Sequence, residues 1–301
     1  MPKLPEASID LVITDPPYFI DRMDLGWDDG RLANSAAKAG IIGGLPIGMK
    51  FDRRQGAELQ KFMLPVAEEL FRVLKPGGFC LVFSQARLYH RMAMAFDEAG
   101  FEIRDMLAWK REGQAKAFSQ AHFIRKNSTL SKEEKAKLIA ELSCYKTPQL
   151  KPQMEPLVLA QKPRKGTFVE NWRKYGVGLV NFSESLDGKC PGNVMEISRH
   201  EPGRGRIGHL TVKPQRLISH LARLFSRAGS IVLDPFAGSG SHGAAVLGNG
   251  RRFIGLEKEG RYIGIARSRL ASGACQQNQG HSPGAHGGEP DFFAIDSGIK
   301  P

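Results

Sequence analysis

The feature that most constrains this chain is the order of elements between Ser230 and Glu257. A short β-branched run (Ser230 to Leu233) is followed by the glycine-rich turn Asp234-Pro235-Phe236-Ala237-Gly238-Ser239-Gly240. A helix pattern (Ser241 to Gly248), a second strand pattern (Arg252 to Leu256) and the acid Glu257 come next. In a doubly wound sheet such a turn lets a ligand approach the backbone closely, the following helix N-terminus favours negative charge, and an acid about 20 residues beyond the turn holds ribose hydroxyls. A lone GxG turn is an ordinary tight turn more often than a binding site, so the ordered set carries the argument, not the glycines alone.

Strand and helix patterns alternate on the N-terminal side as well. Ser8 to Thr14 (SIDLVIT) reads as a buried strand that ends at Pro16-Pro17, which places Asp15 at a strand's carboxyl end. Residues 19–57, rich in Gly and Asp, read as a long loop. Leu59, Phe62, Met63, Val66, Leu70, Val73 and Leu74 fall at helical spacing and stop at Lys75-Pro76-Gly77-Gly78. A strand (Phe79 to Phe83), a helix (Ala86 to Ala99) and another strand (Phe101 to Trp109) follow. Alternation of this kind predicts an α/β fold with a doubly wound, mainly parallel sheet.

After Lys110 the alternation fails. Residues 110–206 mix one helix candidate, Ser131 to Leu142, with Pro, Gly and basic residues, and read as an inserted region. Of the chain's 43 basic and 31 acidic residues, this region holds 19 and 10, so most of the +12 formal charge lies there. A central basic block suits a polyanion such as nucleic acid, although a solvated lysine-rich surface fits the charge equally well. The pattern thus divides the chain into 1–109, 110–206, 207–270 and a tail, 271–301, that is low in apolar content and predicted to be disordered apart from an apolar patch at Phe292-Phe293.

Composition narrows the class further. Apolar residues make up 41% and charged residues 25%, a globular balance. No apolar run is long enough to span a membrane, and the N-terminus lacks the layout of a signal peptide, so a cytoplasmic location is expected. The four cysteines show no CxxC pair, and His90, His122, His200 and His220 lack metal-ligand spacing; no metal site is expected.

The other chemistry-bearing motif is Asp15-Pro16-Pro17-Tyr18. An exocyclic amine on a base is a poor nucleophile because its lone pair is delocalised. A carboxylate and a proline carbonyl that accept its two N–H groups favour a pyramidal nitrogen and aim the lone pair at an electrophile. Consecutive prolines fix such a loop, and Tyr18 offers a ring on which a base can stack. By itself the tetrapeptide fits equally a rigid loop with a capping Asp and a packed Tyr.

Together the two motifs resemble the amino-methyltransferases of DNA that use S-adenosylmethionine. Asp15-Pro16-Pro17-Tyr18 matches their DPPY tetrapeptide, residues 234–240 match their cofactor motif, and the order of the two is that of the β class. The KPGG turn, Trp109-Lys110, the run Glu155 to Pro163 and the run His209 to Pro214 are further matches, so that the resemblance extends over about residues 8–270. It implies that Asp15, Pro16, Pro17 and Tyr18 are catalytic. It implies that Asp234, Pro235, Phe236, Ala237, Gly238, Ser239 and Gly240 surround the cofactor's methionine part, with Thr211 and Lys213 nearby and Glu257 on its ribose. The basic region becomes the target-recognition region, with Lys110, Arg111, Arg164, Lys165, Arg173 and Lys174 as its DNA-binding candidates. Phe168, Trp172 and Tyr175 lie among the last four, where they suit stacking on bases or packing of the region.

The partner implied is double-stranded DNA, from which the base is flipped. Asp at the first tetrapeptide position is similar to the adenine-specific members. Methylation of the cytosine N4 amine, or a DNA-binding relative with impaired catalysis, are the alternatives. A homodimer stays open, and the sequence names neither a recognition site nor a companion nuclease. Two departures from the family pattern stand out. The further strand with a Gly-Asp that normally precedes DPPY is not in this sequence, which either puts cofactor affinity in doubt or places the true start upstream. Ser241-His242 also replaces the usual threonines after the turn; His242 is expected at the surface.

Overall fold

The computed structural model describes residues 1, 4–17, 54–111, 113, 117–186, 188–198, 213–277 and 292–294, the side chains of 272–277 and 292–294 excepted. The strands are β1 (Ile9–Thr14), β2 (Leu74–Phe83), β3 (Glu102–Lys110), β4 (Met154–Gln161), β5 (Val194–Glu196), β6 (Ile231–Asp234), β7 (Arg252–Glu257) and β8 (Phe292–Ala294). The helices are α1 (Arg54–Val73), α2 (Tyr89–Glu98), α3 (Ala121–Lys126), α4 (Lys132–Glu141), α5 (Phe168–Tyr175), α6 (Gln215–Phe225), α7 (Ser241–Leu247) and α8 (Gly260–Gln277).

The strands form one sheet in the order β5-β3-β4-β2-β1-β6-β7-β8. Every pairing is parallel except those of β4, which runs antiparallel between β2 and β3. The expected α/β, doubly wound, mainly parallel fold is present. All six residues of β1 are buried, as a central strand covered on both faces requires, and Asp10, the one charged residue among them, is paired with Lys75. Leu59, Met63, Leu70 from α1 and Met92, Phe96 from α2 pack against Val12, Cys80 and Val82 on one face. Leu217, Leu221 and Phe225 from α6, Val246 from α7 and Leu270 from α8 pack against Leu11, Leu81 and Val232 on the other.

Three details differ from the sequence expectation. The KPGG turn lies within β2: Ile9 pairs with Leu74 and Leu11 with Phe79, so residues 75–78 bulge from the ladder. Gly77, at φ +80°, supplies the left-handed backbone, and a Cβ there would strike the Asn171 side chain. Second, 110–206 is not a self-contained insertion. Its apolar run Pro156 to Ala160, hidden among prolines and basic residues, becomes buried β4 at the heart of the sheet, and β5 also returns to it. Third, within the tail 271–301, α8 continues to Gln277 and Phe292–Ala294 pairs with the backbone of β7. An apolar, β-prone triplet meets an edge whose backbone groups need partners. The long loop expected over 19–57 falls mostly outside the described residues.

Candidate active site

Parallel strands place their carboxyl ends along one edge of the sheet, and there the two motifs meet. Thr14 ends β1 and Asp234 ends the neighbouring β6. Thr14 Oγ1 donates to Asp234 Oδ1 at 2.7 Å, and Phe236 N donates to the same oxygen at 3.0 Å. Asp234 is only 1% exposed, so its carboxylate braces the turn and ties it to the DPPY strand from within. His242 is not at the surface. It is 4% exposed, with Nδ1 2.8 Å from Asp234 Oδ2 but off the line of a ring N–H hydrogen bond, and its ring lies 6.0 Å from that of Phe83. His242 is the second residue of α7, on the face of the helix that packs inward, and the apolar wall of Phe83 receives its ring.

The turn has the shape a bulky ligand needs. Gly238 and Gly240 have φ of +50° and +73°. A Cβ on Gly240 would fall 2.9 Å from Ala266 Cβ, so glycine there lets α7 approach α8; a Cβ on Gly238 meets nothing within 4 Å, so that glycine borders open space. Gly238 N donates to Glu257 Oε2 at 2.9 Å, and Glu259 N donates to Oε1 at 2.9 Å, which fixes the Glu257 carboxylate beside the turn. Arg269 Nη1 holds Ser239 through its carbonyl at 2.6 Å and its hydroxyl at 2.8 Å. An open face of backbone with a carboxylate at its rim fits a cofactor with a ribose to anchor. Pro235, Phe236 and Ala237 complete the turn, and the Phe236 ring lies 6.1 Å from that of Phe62.

Asp15 follows Thr14 at the same edge, ahead of Pro16 and Pro17. Its Oδ2 accepts from Lys213 Nζ at 2.6 Å, and the same ammonium lies 2.7 Å from Glu155 Oε1. Lys213 is 5% exposed, and its Nζ also sits 4.7 Å from the Phe83 ring centroid. Burial alone would pull the ammonium below the ordinary lysine value, but the charges and hydrogen bonds of Asp15 and Glu155 outweigh it and leave the pKa raised. Glu155 Oε2 in turn lies 3.4 Å from Arg111 Nε. Lys213, expected beside the cofactor, touches the DPPY aspartate. Glu155 went unrecognised as a site residue, although it heads the run that becomes β4. Tyr18 and Thr211 lie outside the described residues.

The direction of β4 divides the six basic candidates between two edges. Lys110 ends β3 and Arg111 follows it at the carboxyl edge, Lys110 pairing with Glu196 at 2.8 Å. Arg164, Lys165, Arg173 and Lys174 come after β4 has crossed to the amino edge. Six residues of strand, at about 3.3 Å each, put that edge roughly 20 Å from Glu155. There buried Asn171 anchors α5, donating to Pro76 O and Val177 O at 3.0 Å each. The aromatics of α5 are covered by cations: Arg164 lies 4.4 Å from the Phe168 ring, Lys174 5.3 Å from Tyr175 and Arg227 5.9 Å from Trp172. What does leave the carboxyl edge is the arm between β3 and β4. Residues 111–153 carry 9 basic and 4 acidic side chains. Phe123 and Tyr145 are exposed, and no residue of α4 is buried.

A sheet with one reversed strand, a glycine turn facing open space and a carboxylate in a proline-fixed loop beside it define a nucleotide-type cofactor enzyme acting at the carboxyl edge. The DNA methylase family model matches residues 9–268, and the chain belongs to that family of N4/N6 amino-methyltransferases, which use S-adenosylmethionine. It is 30% identical to the type II methyltransferase M.HindIII of Haemophilus influenzae over 89% of this chain and 91% of that one. It is 25% identical to the type II methyltransferase M2.DpnII of Streptococcus pneumoniae over 89% and 84%. In fold it is similar to the cytosine-N4-specific PvuII DNA methyltransferase, with a TM-score of 0.56, 16% identity and coverage of 92% and 87%. A Thermus thermophilus protein assigned as a DNA modification methylase gives a TM-score of 0.53, with 22% identity over 98% and 94%. Among the described residues no helix is long and apolar enough to cross a membrane, and no cluster of three metal-ligating side chains occurs.

Proposed function

We propose that the chain transfers a methyl group to the N6 amine of an adenine flipped out of a specific duplex DNA sequence. The observation that carries this reading is the 2.7 Å bond between Thr14 and Asp234, which sets the DPPY loop directly beside the cofactor turn. S-Adenosylmethionine supplies a methyl on a sulfonium, already activated for transfer. The turn 234–240 and Glu257 would hold it, with Glu257 on the ribose.

The protein's task is then to position the amine. The Asp15 carboxylate and the Pro16 carbonyl accept its two N–H groups, which concentrates the lone pair on nitrogen. Pro16 and Pro17 keep that loop from relaxing, and Tyr18 supplies a ring for the flipped base. As the new N–C bond forms, nitrogen becomes cationic and must lose a proton; Asp15, already bonded to it, is the acceptor in place. Aspartate at the first DPPY position favours adenine over the cytosine N4 amine.

DNA approaches over the catalytic edge. Lys110, Arg111 and the basic arm 111–153 contact its phosphates, and the arm's exposed Phe123 and Tyr145 lie where bases are displaced. Arg164, Lys165, Arg173 and Lys174, at the opposite edge, are assigned no contact with the duplex at the reacting base. Asp15→Ala is expected to abolish methyl transfer while leaving DNA binding measurable; unchanged turnover would overturn the assignment.

A further inference from the structure

We propose that Lys213 is a positioning residue for Asp15: its buried ammonium holds the catalytic carboxylate in one orientation, while Glu155 anchors the ammonium from the other side. The inference rests on the reading that Asp15 receives the amine. It gives a role at Asp15 to a lysine that the family resemblance places near the cofactor, and it adds Glu155 to the site.

The geometry is that of a clamp. Lys213 Nζ lies 2.6 Å from Asp15 Oδ2 and 2.7 Å from Glu155 Oε1, short enough for charge-assisted hydrogen bonds to both. The Phe83 ring, 4.7 Å away, flanks the same ammonium, and Pro214, directly after it, begins α6 with a fixed φ. Glu155 is itself restrained at the start of β4, opposite Trp109, and faces Arg111 at 3.4 Å. The lysine head is thus fixed by elements that reach this edge from three separate parts of the chain: β2, β4 and the lead into α6.

Chemistry requires such a clamp. A carboxylate accepts an amine N–H well only when correctly turned, and a single Asp side chain on a loop can rotate. Gripping Oδ2 stops that rotation before the amine arrives, so the orientation is established in the free enzyme. A lysine paired only with Asp15 could follow it in any motion; a lysine shared with Glu155 on the central sheet cannot. The four charges Arg111, Glu155, Lys213 and Asp15 also sum to zero, so the cluster can be buried without a net charge.

The test compares the 301-residue chain with Lys213→Met and with the double variant Lys213→Met/Glu155→Gln. Single-turnover methyl transfer to duplex DNA is measured at saturating S-adenosylmethionine, together with the Kd for the cofactor and for DNA. Lys213→Met is expected to slow transfer about a hundredfold, the scale of a misplaced catalytic group, with both Kd values within about twofold. The double variant removes one charge of each sign. If Lys213 served only to neutralise buried carboxylates, this variant would regain the parent rate; the positioning role predicts that it stays slow. Should Lys213→Met fail to fold, the double variant carries the comparison.

A parent rate in Lys213→Met or in the double variant would overturn the proposal, as would a loss confined to cofactor affinity with the saturated rate unchanged. An inactive parent chain that binds both cofactor and DNA would instead overturn the reading of Asp15, and the proposal with it.

Discussion

Thr14 and Asp234 stand 220 positions apart in sequence and 2.7 Å apart in space, joined by a hydrogen bond that water does not reach. In the function proposed above, the bond couples the loop assigned to the substrate amine to the turn assigned to the methyl donor. Thr14→Val keeps the shape and removes the donor, leaving a buried carboxylate oxygen with one partner fewer. Stability should fall by about 1–3 kcal/mol, and cofactor affinity should fall with it. Thermal unfolding and calorimetric titration of S-adenosylmethionine check both; unchanged values would show the bond to be dispensable.

Gly238 and Gly240 should respond differently to a methyl group. Gly240→Ala combines a φ of +73° with a Cβ 2.9 Å from Ala266, and is expected to lower the melting temperature because α7 and α8 must part. Strain of this kind costs on the order of 1–3 kcal/mol. Gly238→Ala, with nothing within 4 Å, should unfold nearer to the parent temperature but bind the cofactor more weakly, since its Cβ enters the space the ligand needs. The reverse order in the melts would contradict this assignment of roles.

Much of this was legible in the sequence because it is local. Strand, glycine turn, helix, strand and acid are neighbours along the chain, and Thr14-Asp15-Pro16-Pro17 announces a strand end without help from distant residues. Other features were hidden for physical reasons. β4 contains Pro156, is flanked by Pro152 and Pro163, and is embedded in basic sequence, so its burial shows only when β2 and β3 close around it. The partner of Lys213 is 198 residues away, and no spacing rule connects them. The separation of Arg111 from Arg173 depends on β4 running antiparallel, which hydrophobicity does not encode. The burial of His242 is not legible from its small neighbours, because the Phe83 ring that covers it comes from β2, distant in sequence.

That separation of charges makes a prediction about DNA. Arg125→Ala/Lys126→Ala, both exposed on the arm, should weaken duplex binding and reduce the slope of log K against log salt by about 1 for each phosphate no longer neutralised. Arg173→Ala/Lys174→Ala, also exposed but at the far edge, should leave the slope unchanged. Binding isotherms at several salt concentrations distinguish the two, and an effect confined to the second pair would move the DNA to the opposite side of the sheet.

Acid should destabilise the fold through His220. Burial, aided by the Arg223 charge, lowers its pKa from 6.5 although Glu184 opposes the shift, and its Nδ1 has no hydrogen-bond partner. The unfolded chain therefore binds a proton at a pH where the folded one does not. The stabilisation is fully present above pH 6.5 and is lost as pH falls below that value through the folded pKa. His220→Gln should flatten this part of a denaturant-midpoint profile; a profile as steep as the parent's would assign the loss to other groups.

The central claim is the identity of the modified atom, and nucleoside mass spectrometry tests it most directly. Duplex DNA of mixed sequence is incubated with the 301-residue chain and S-adenosylmethionine bearing a labelled methyl group, then digested to nucleosides. The account predicts label in N6-methyladenine, absent when Asp15→Ala replaces the parent. Label in N4-methylcytosine, or no label in DNA from a chain that binds its cofactor, would contradict it.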